Sequence, residues 1–219
     1  MDHNINMKYP DIEDTSAIEQ YKKNIIDAFS QVDLSDITKD NNDIKGWIII
    51  PDTTISYPIC QTTDNDYYLN HNYKKTSTRV GSIFLDYRVS SDFNDTNTII
   101  YGHRMKDLSM FASLKYYVDQ SFWEEHKTVL IYTLDGKINI YSVYSAFEGD
   151  PNGLSYNTIM DTLEDKNEFI DYTTSCSKYR TGITPTEDDR FITLSTCAGS
   201  GHEKRMIVHG VYIDSIELK

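Results

Sequence analysis

The sequence predicts a mainly β protein in which eight strands form a single closed or nearly closed sheet. Short runs rich in isoleucine, valine, tyrosine and threonine recur from Gly46 onward, a composition typical of strands. Polar turns separate many of these runs, and Asp135-Gly136 between the fifth and sixth is a strong hairpin signal. The predicted strands span residues 47–50, 55–60, 81–86, 98–101, 129–134, 137–147, 191–197 and 206–216.

Helical periodicity marks the remaining ordered segments. In residues 11–31, Ile18, Tyr21, Ile25 and Phe29 recur at helical spacing with polar residues between them. Three more helices are predicted: a short one starting near residue 33, one over 109–118, and a long one over 157–177 between strands six and seven. No repeat or long flexible linker divides the chain. We therefore expect a barrel domain over residues 46–219 with a helical lead-in, residues 1–45, packed on it.

The composition and net charge argue against one class of function, nucleic-acid binding. The chain has 219 residues, with 34 acidic against 21 basic side chains, a net charge of −13 and a pI of about 4.8. This balance argues against a protein whose main role is to bind nucleic-acid phosphates. Only 39% of residues are apolar, but 17 tyrosines and 8 phenylalanines supply bulk for a core.

The cysteines and histidines do not form metal-binding patterns. Cys60, Cys176 and Cys197 are too few and too scattered for a disulfide framework or a CxxC site. The histidines form no HxH or HxxxH pair, and phosphate-binding, dinucleotide-binding and GxSxG motifs are absent from the sequence. We expect no metal and no cofactor. The odd number of cysteines leaves at least one free thiol.

Cys197 is the thiol best placed for chemistry. It closes the predicted strand 191–197, and the small residues 198–201 follow at once. A thiol at the end of a rigid strand, beside a loop of small residues, is open to a substrate. The alternative is a buried structural cysteine, the most common fate of a free thiol.

Arg205 and His103 strengthen the catalytic interpretation. If residues 198–204 form a turn between antiparallel strands, Arg205 lies beside Cys197, where a guanidinium favours the thiolate and stabilises an oxyanion. His103 follows the fourth strand, and an imidazole suits proton transfer at neutral pH. The alternative for Arg205 is a solvated edge charge. His202, in the turn itself, is a weaker candidate.

These residues resemble a known signature. The sequence Thr193-Leu194-Ser195-Thr196-Cys197 followed by Arg205, with His103 upstream, is similar to the TLxTC…R signature of sortases. The resemblance extends over residues 46–216 in strand order as well as in motif. It implies an eight-stranded β-barrel and a cysteine transpeptidase of Gram-positive cell surfaces. No Asn or Asp is evidently placed to orient His103, so any fourth catalytic member is unassigned.

The insertions resemble class B sortases. These are the N-terminal helix, the long helix between strands six and seven, and the segment 64–70, which looks like a class B substrate-pocket segment. The resemblance implies that Asn65 and Leu69 bind substrate. Tyr101 and Ser195 match pocket positions two residues before the histidine and the cysteine. The alternative for Leu69, Tyr101 and Ser195 is barrel packing.

The resemblance also implies a reaction and its partners. Cys197 would cleave an NPxT(G/N)-like signal near the C-terminus of a secreted protein, and Arg205 and His103 would assist. A peptidoglycan precursor or cross-bridge amine would then resolve the thioacyl enzyme. Two alternatives stay open: a hydrolytic cysteine peptidase, and a non-catalytic all-β surface module. No nucleic-acid partner is expected.

Localisation follows from the resemblance rather than from the residues. No apolar run approaches the roughly 18–20 residues that span a membrane, and residues 1–10 lack signal-peptide features. By itself this fits a cytosolic protein or the soluble part of a longer one. The resemblance implies the extracellular face of a Gram-positive cell membrane. We expect that residues 1–10 replace or follow an N-terminal membrane anchor removed by recombinant truncation.

Overall fold

Eight strands close into one β-barrel in this computed structural model, which describes residues 15–197 and 203–218. The strands are β1 Ile44–Ile49, β2 Ser56–Cys60, β3 Ile83–Leu85, β4 Asn97–Tyr101, β5 Thr128–Thr133, β6 Lys137–Gly149, β7 Phe191–Cys197 and β8 Arg205–Glu217. They pair in the order β1-β2-β3-β4-β7-β8-β6-β5, and β5 closes onto β1. The predicted mainly β, eight-stranded barrel is confirmed.

Helices lie before the barrel and between its strands. The α-helices are α1 Thr15–Ala28, α2 Leu34–Asp40, α3 Gln120–Glu125 and α4 Leu163–Cys176; 3₁₀ helices cover Tyr67–Leu69, Ala112–Val118 and Leu154–Tyr156. Within the described part of the chain, none of these helices is both long and apolar enough to span a membrane.

The strand pairing brings three chain segments to one rim. β4 and β7 are parallel, so their C-terminal ends lie side by side, with Tyr101 opposite Ser195. β8 is antiparallel to β7, and its first residue, Arg205, pairs with the last residue of β7, Cys197. The predicted antiparallel pairing of these two strands is confirmed, while residues 198–202 of the connection lie outside the described residues.

Apolar side chains fill the barrel and cover its outside. The interior cluster includes Ile48, Ile100, Leu194 and Val208, none of which is exposed to solvent. On the outer surface, one face of α1 packs against β5 and β6; the contributing residues are Tyr21, Ile25, Phe29, Leu130, Ile138 and Ile140. α2 follows, and the Asp33 carboxylate caps its N-terminus by accepting from the Asp36 amide.

Two predicted helices differ from the structure. The segment 109–118 contains a 3₁₀ helix from Ala112, because Met110 has φ +56° and cannot belong to a right-handed helix. The long helix begins at Leu163, not at residue 157. Thr162 and Asp165 form a capping box there, while the Asn157 carbonyl accepts a hydrogen bond from the Asn97 side chain instead.

The Asp135-Gly136 hairpin forms as predicted. β5 and β6 pair in antiparallel fashion around residues 134–136, and the Gly136 amide donates to the Thr133 carbonyl (3.1 Å). Gly136 has φ +85°, the left-handed conformation that favours glycine in a three-residue hairpin loop.

Candidate active site

The rim at the ends of β4 and β7 holds the three residues that the sequence singled out for chemistry. Cys197 and Arg205 are backbone partners across β7 and β8. His103 lies two residues beyond β4, and the ladder continues past the strand because the Gly102 amide donates to the Ser195 carbonyl (3.2 Å). His202 lies outside the described residues.

A cavity of about 250 Å³ opens at this rim. Six of the predicted site residues line it: Asn65, Leu69, Tyr101, His103, Ser195 and Arg205. It also has lining residues that the sequence reasoning did not select: Phe84, Gly102, Pro151, Tyr156 and Thr196. The cavity therefore joins segments from six separate parts of the chain beside the end of β7.

Gly102 lies at the cavity wall where a side chain has no room. A Cβ at this position would collide with the Ile83 side chain and lie 2.8 Å from the Phe111 ring. The backbone of the next residue is fixed as well, since the Phe111 amide donates to the His103 carbonyl (2.9 Å). His103 is thus carried on a tightly packed backbone at the cavity wall.

The His103 imidazole is held by a backbone carbonyl. Its Nε2 lies 2.7 Å from the carbonyl oxygen of Leu69. Because a carbonyl only accepts, Nε2 carries the hydrogen in this arrangement. No carboxylate or amide side chain was predicted to orient the ring, and in the structure a main-chain oxygen holds it.

A buried carboxylate holds the part of the cavity wall that Tyr101 forms. Asp86 is fully buried, and it accepts from the Arg88 guanidinium at both oxygens (2.9 and 2.8 Å) and from the Tyr101 hydroxyl (2.9 Å). Burial alone raises the pKa of Asp86, but the hydrogen bonds from Arg88 and Tyr101 outweigh it, and the pKa lies below the ordinary value. Burial and the nearby Asp86 carboxylate raise the pKa of Tyr101, which remains a phenol.

Tyr156 links this wall to β7. Its hydroxyl lies 2.7 Å from the Ser195 hydroxyl, and its ring stacks on Tyr101 with 6.3 Å between centroids and 9° between planes. The Arg88 guanidinium also donates to the Tyr156 carbonyl (3.4 Å). These contacts fix the Tyr101 and Ser195 side chains in the cavity wall.

Asn65 is held beside Asp86 and Tyr101 by a hydrogen bond to the backbone. Its side-chain oxygen accepts from the Tyr87 amide (3.0 Å), next to Asp86 in the chain. The Asp64 carboxylate accepts from the amides of Asp66 and Tyr67 (both 2.8 Å) and so holds the turn that carries Asn65 and leads to Leu69.

Comparison with known proteins identifies the family. A sortase-domain family model matches residues 48–213. Sortase B of Listeria monocytogenes is 41% identical over 182 residues, which cover 81% of this chain and 73% of that protein. Sortase B of Staphylococcus aureus is 36% identical over 174 residues, covering 78% and 71%. This chain belongs to the sortase family.

Solved structures place it in class B. The S. aureus sortase B–substrate complex matches with a TM-score of 0.78 and 31% identity, covering 91% of this chain and 94% of that one. The L. monocytogenes sortase B structure matches with a TM-score of 0.72 and 40% identity, covering 82% and 99%. The protein is a sortase B-type transpeptidase, and the resemblance seen in the sequence is confirmed.

Some features of this sortase were not predicted from the sequence. Asp86 closes a predicted apolar strand, and a carboxylate in that position was the available signal for a buried ion pair. Arg88 follows two residues later. Tyr156 gave no signal, because it reaches the cavity from the connection between β6 and α4.

His209 has a structural role in the sortase core. His209 is fully buried, with Nδ1 3.0 Å from the Thr193 hydroxyl and Nε2 3.1 Å from the Ser155 hydroxyl. Burial lowers its pKa to about 3, so it is neutral. In the residues that the structure describes, no group of three or more His, Cys, Asp or Glu is arranged to hold a metal.

Proposed function

We propose that this sortase cleaves an NPxT(G/N)-like C-terminal sorting signal after its threonine and joins the new carboxyl end to a peptidoglycan amine. The observation that carries the proposal is the shared cavity: His103 and Arg205 both line it, and Arg205 is the backbone partner of Cys197. A nucleophile, a proton carrier and a cation around one concave site are the parts that acyl transfer needs.

In the first half-reaction, the Cys197 thiolate attacks the carbonyl carbon of the signal's threonine. The negative charge that develops on the carbonyl oxygen is stabilised by Arg205. His103 gives a proton to the nitrogen of the departing amine as the C–N bond breaks. The products are a thioacyl enzyme and the released C-terminal peptide.

In the second half-reaction, an amine of a peptidoglycan precursor or cross-bridge attacks the thioester. His103 accepts the proton that this amine loses, and the C–S bond breaks to regenerate Cys197. The histidine thus returns to its starting protonation state, and one amide has been exchanged for another.

Asn65, Leu69, Tyr101 and Ser195 form the proposed recognition surface for the sorting signal. All four line the cavity, and the Tyr101 and Ser195 hydroxyls are already engaged by Asp86 and Tyr156. A wall fixed before the peptide arrives loses little conformational entropy on binding. The S. aureus sortase B, which was solved as a substrate complex, supports a substrate-binding site in this fold.

The same family relationship supports a location and partners. We place this sortase at the outer surface of the cell membrane of a Gram-positive bacterium, with secreted proteins and peptidoglycan as partners. We further propose that residues 46–219 form the catalytic domain and that residues 1–45 serve as its helical lead-in.

A peptide-library cleavage assay with matched variants tests the proposal. Wild type should cleave NPxT-type peptides, and Cys197→Ala, His103→Ala and Arg205→Ala should each abolish cleavage while keeping the fold. Cys176→Ala is the matched control, since it removes a second thiol from the end of α4, and it should cleave like wild type. Full cleavage by Cys197→Ala would overturn the proposal.

The fate of the acyl group separates transfer from hydrolysis. With a peptidoglycan-type amine present, mass spectrometry should detect the ligated peptide. Hydrolysed product alone would indicate a cysteine peptidase. If Cys197 resists thiol reagents in the folded protein and no peptide is cleaved, the chain is a non-catalytic module instead.

A further inference from the structure

The His103 ring lies against backbone features of two neighbouring segments. The first is the Leu69 carbonyl, 2.7 Å from Nε2. The second is Gly81, where a Cβ would lie 2.9 Å from Cδ2 of the ring. The ring edge formed by Cδ2 and Nε2 is therefore in contact with both segments.

The 3₁₀ helix that carries the Leu69 carbonyl is itself fixed. The Tyr68 ring is almost fully buried, and its hydroxyl donates to the Asp43 carboxylate (2.9 Å) and accepts from the Asn41 side-chain Nδ2 (2.9 Å). The Tyr68 carbonyl accepts from the Ser82 amide (2.9 Å), just before β3. Tyr68, the residue directly before Leu69, is thus anchored both to the segment before β1 and to the segment before β3.

Gly81 sits where a side chain has no room. It has φ +64°, and a Cβ there would lie 2.6 Å from the Tyr68 carbonyl oxygen and 2.8 Å from that of Leu69. Both neighbours are backbone atoms, which do not move aside easily. A methyl group at this position would push between the Leu69 carbonyl and the His103 ring.

We propose that the Leu69 carbonyl and Gly81 are positioning residues for His103. They hold the imidazole with Nε2 protonated, so Nδ1 is the nitrogen that exchanges the proton with the substrate amines. The departing amine takes a proton from Nδ1 of the imidazolium, and Nδ1 regains one from the incoming amine. Nε2 keeps its hydrogen throughout, bonded to the Leu69 carbonyl. This inference rests on the proposed role of His103 as the proton carrier.

Imidazole nitrogen NMR tests the tautomer in the unmodified protein. The chain has six histidines, and a His103→Ala variant identifies the signals of that ring. In ¹⁵N-labelled protein with a neutral ring, Nε2 should show the shift of a protonated nitrogen and Nδ1 that of an unprotonated one. The reverse assignment, or averaged shifts for both nitrogens, would overturn the proposal whatever any variant does.

Gly81→Ala tests the positioning, with Gly182→Ala as its matched control. Gly182 also has positive φ, +77°, but nothing lies within 4 Å of a Cβ there, so the control carries the backbone strain without the collision. A displacement of about 1 Å can cost 10²-fold in rate. We expect kcat of Gly81→Ala to fall about 10- to 100-fold with KM changed less than threefold, and the His103 nitrogen shifts to move.

Gly182→Ala should match wild type within twofold in kcat and keep the His103 shifts. If Gly81→Ala keeps wild-type kcat and shifts, the positioning proposal is wrong. If His103→Ala retains full transpeptidation, the proposed function of His103 is wrong instead. The tautomer measurement does not depend on activity, so the two failures are distinguishable.

Discussion

Replacing Tyr101 by phenylalanine removes one hydrogen bond from the buried Asp86 carboxylate and little else. The ring contacts with Phe84 and Tyr156, at centroid distances of 5.4 and 6.3 Å, do not need the hydroxyl. Asp86 keeps both guanidinium bonds from Arg88. A hydrogen bond to a charged group contributes about 1.5–3 kcal/mol to stability. Because Asp86 keeps its two bonds from Arg88, we expect Tyr101→Phe to lower the free energy of unfolding by an amount at the lower end of this range, about 1.5–2 kcal/mol.

Urea unfolding measures this loss, and the pH dependence identifies its cause. Because the pKa of Asp86 is depressed, its contribution to stability is present above the ordinary aspartate value of 3.8 and is lost as the pH falls through the depressed pKa. The deficit of Tyr101→Phe should therefore be largest near neutral pH and shrink in acid. Tyr87→Phe, at a residue 52% exposed, is the control and should change stability by less than about 0.5 kcal/mol. A Tyr101→Phe protein as stable as this control would refute the reasoning.

Three further expectations concern groups outside the cavity. Burial lowers the pKa of His209 from 6.5 to about 3, so below pH 6.5 the unfolded chain binds a proton that the folded chain does not. The free energy of unfolding should therefore fall below pH 6.5, by about 2 kcal/mol at pH 5. In His209→Gln, the same acid titration should show a smaller fall. Thr162→Ala removes the α4 cap to Asp165 and should cost about 1 kcal/mol in thermal unfolding, whereas Thr174→Ala on the exposed face should cost less. Burial raises the pKa of Cys60 to about 12, so this thiol should stay unlabelled in native protein; rapid labelling would contradict its burial.

The barrel was predictable because local pattern and global fold agree along most of it. Runs of β-branched and aromatic residues gave eight strands, most within about two residues of their observed ends, and Gly136 marked the hairpin correctly. The helix boundaries failed where single residues decide the outcome. Met110 adopts positive φ and Thr162 caps α4. Neither effect can be seen in the spacing of apolar residues along the sequence.

The same difference between regular pattern and single contacts separates the site residues that the sequence predicted from those that it did not. The residues at or near strand ends, His103, Ser195 and Arg205, were found because a motif and a strand register locate them. Tyr156 and the Leu69 carbonyl were not, since one arrives on a long connection and the other is a main-chain atom without a side-chain signature. A sequence motif identifies side chains, whereas the orientation of the His103 ring depends on a backbone carbonyl that no motif contains.

Trapping the acyl enzyme tests the central claim most directly. The protein is incubated with an NPxT-type peptide without an amine, and its intact mass is measured before the adduct is mapped by proteolysis. The predicted result is a mass increase equal to the peptide up to its threonine, located on Cys197 and discharged as a ligated product when a peptidoglycan-type amine is added. An adduct on another residue, or cleavage that persists in Cys197→Ala, would contradict the account.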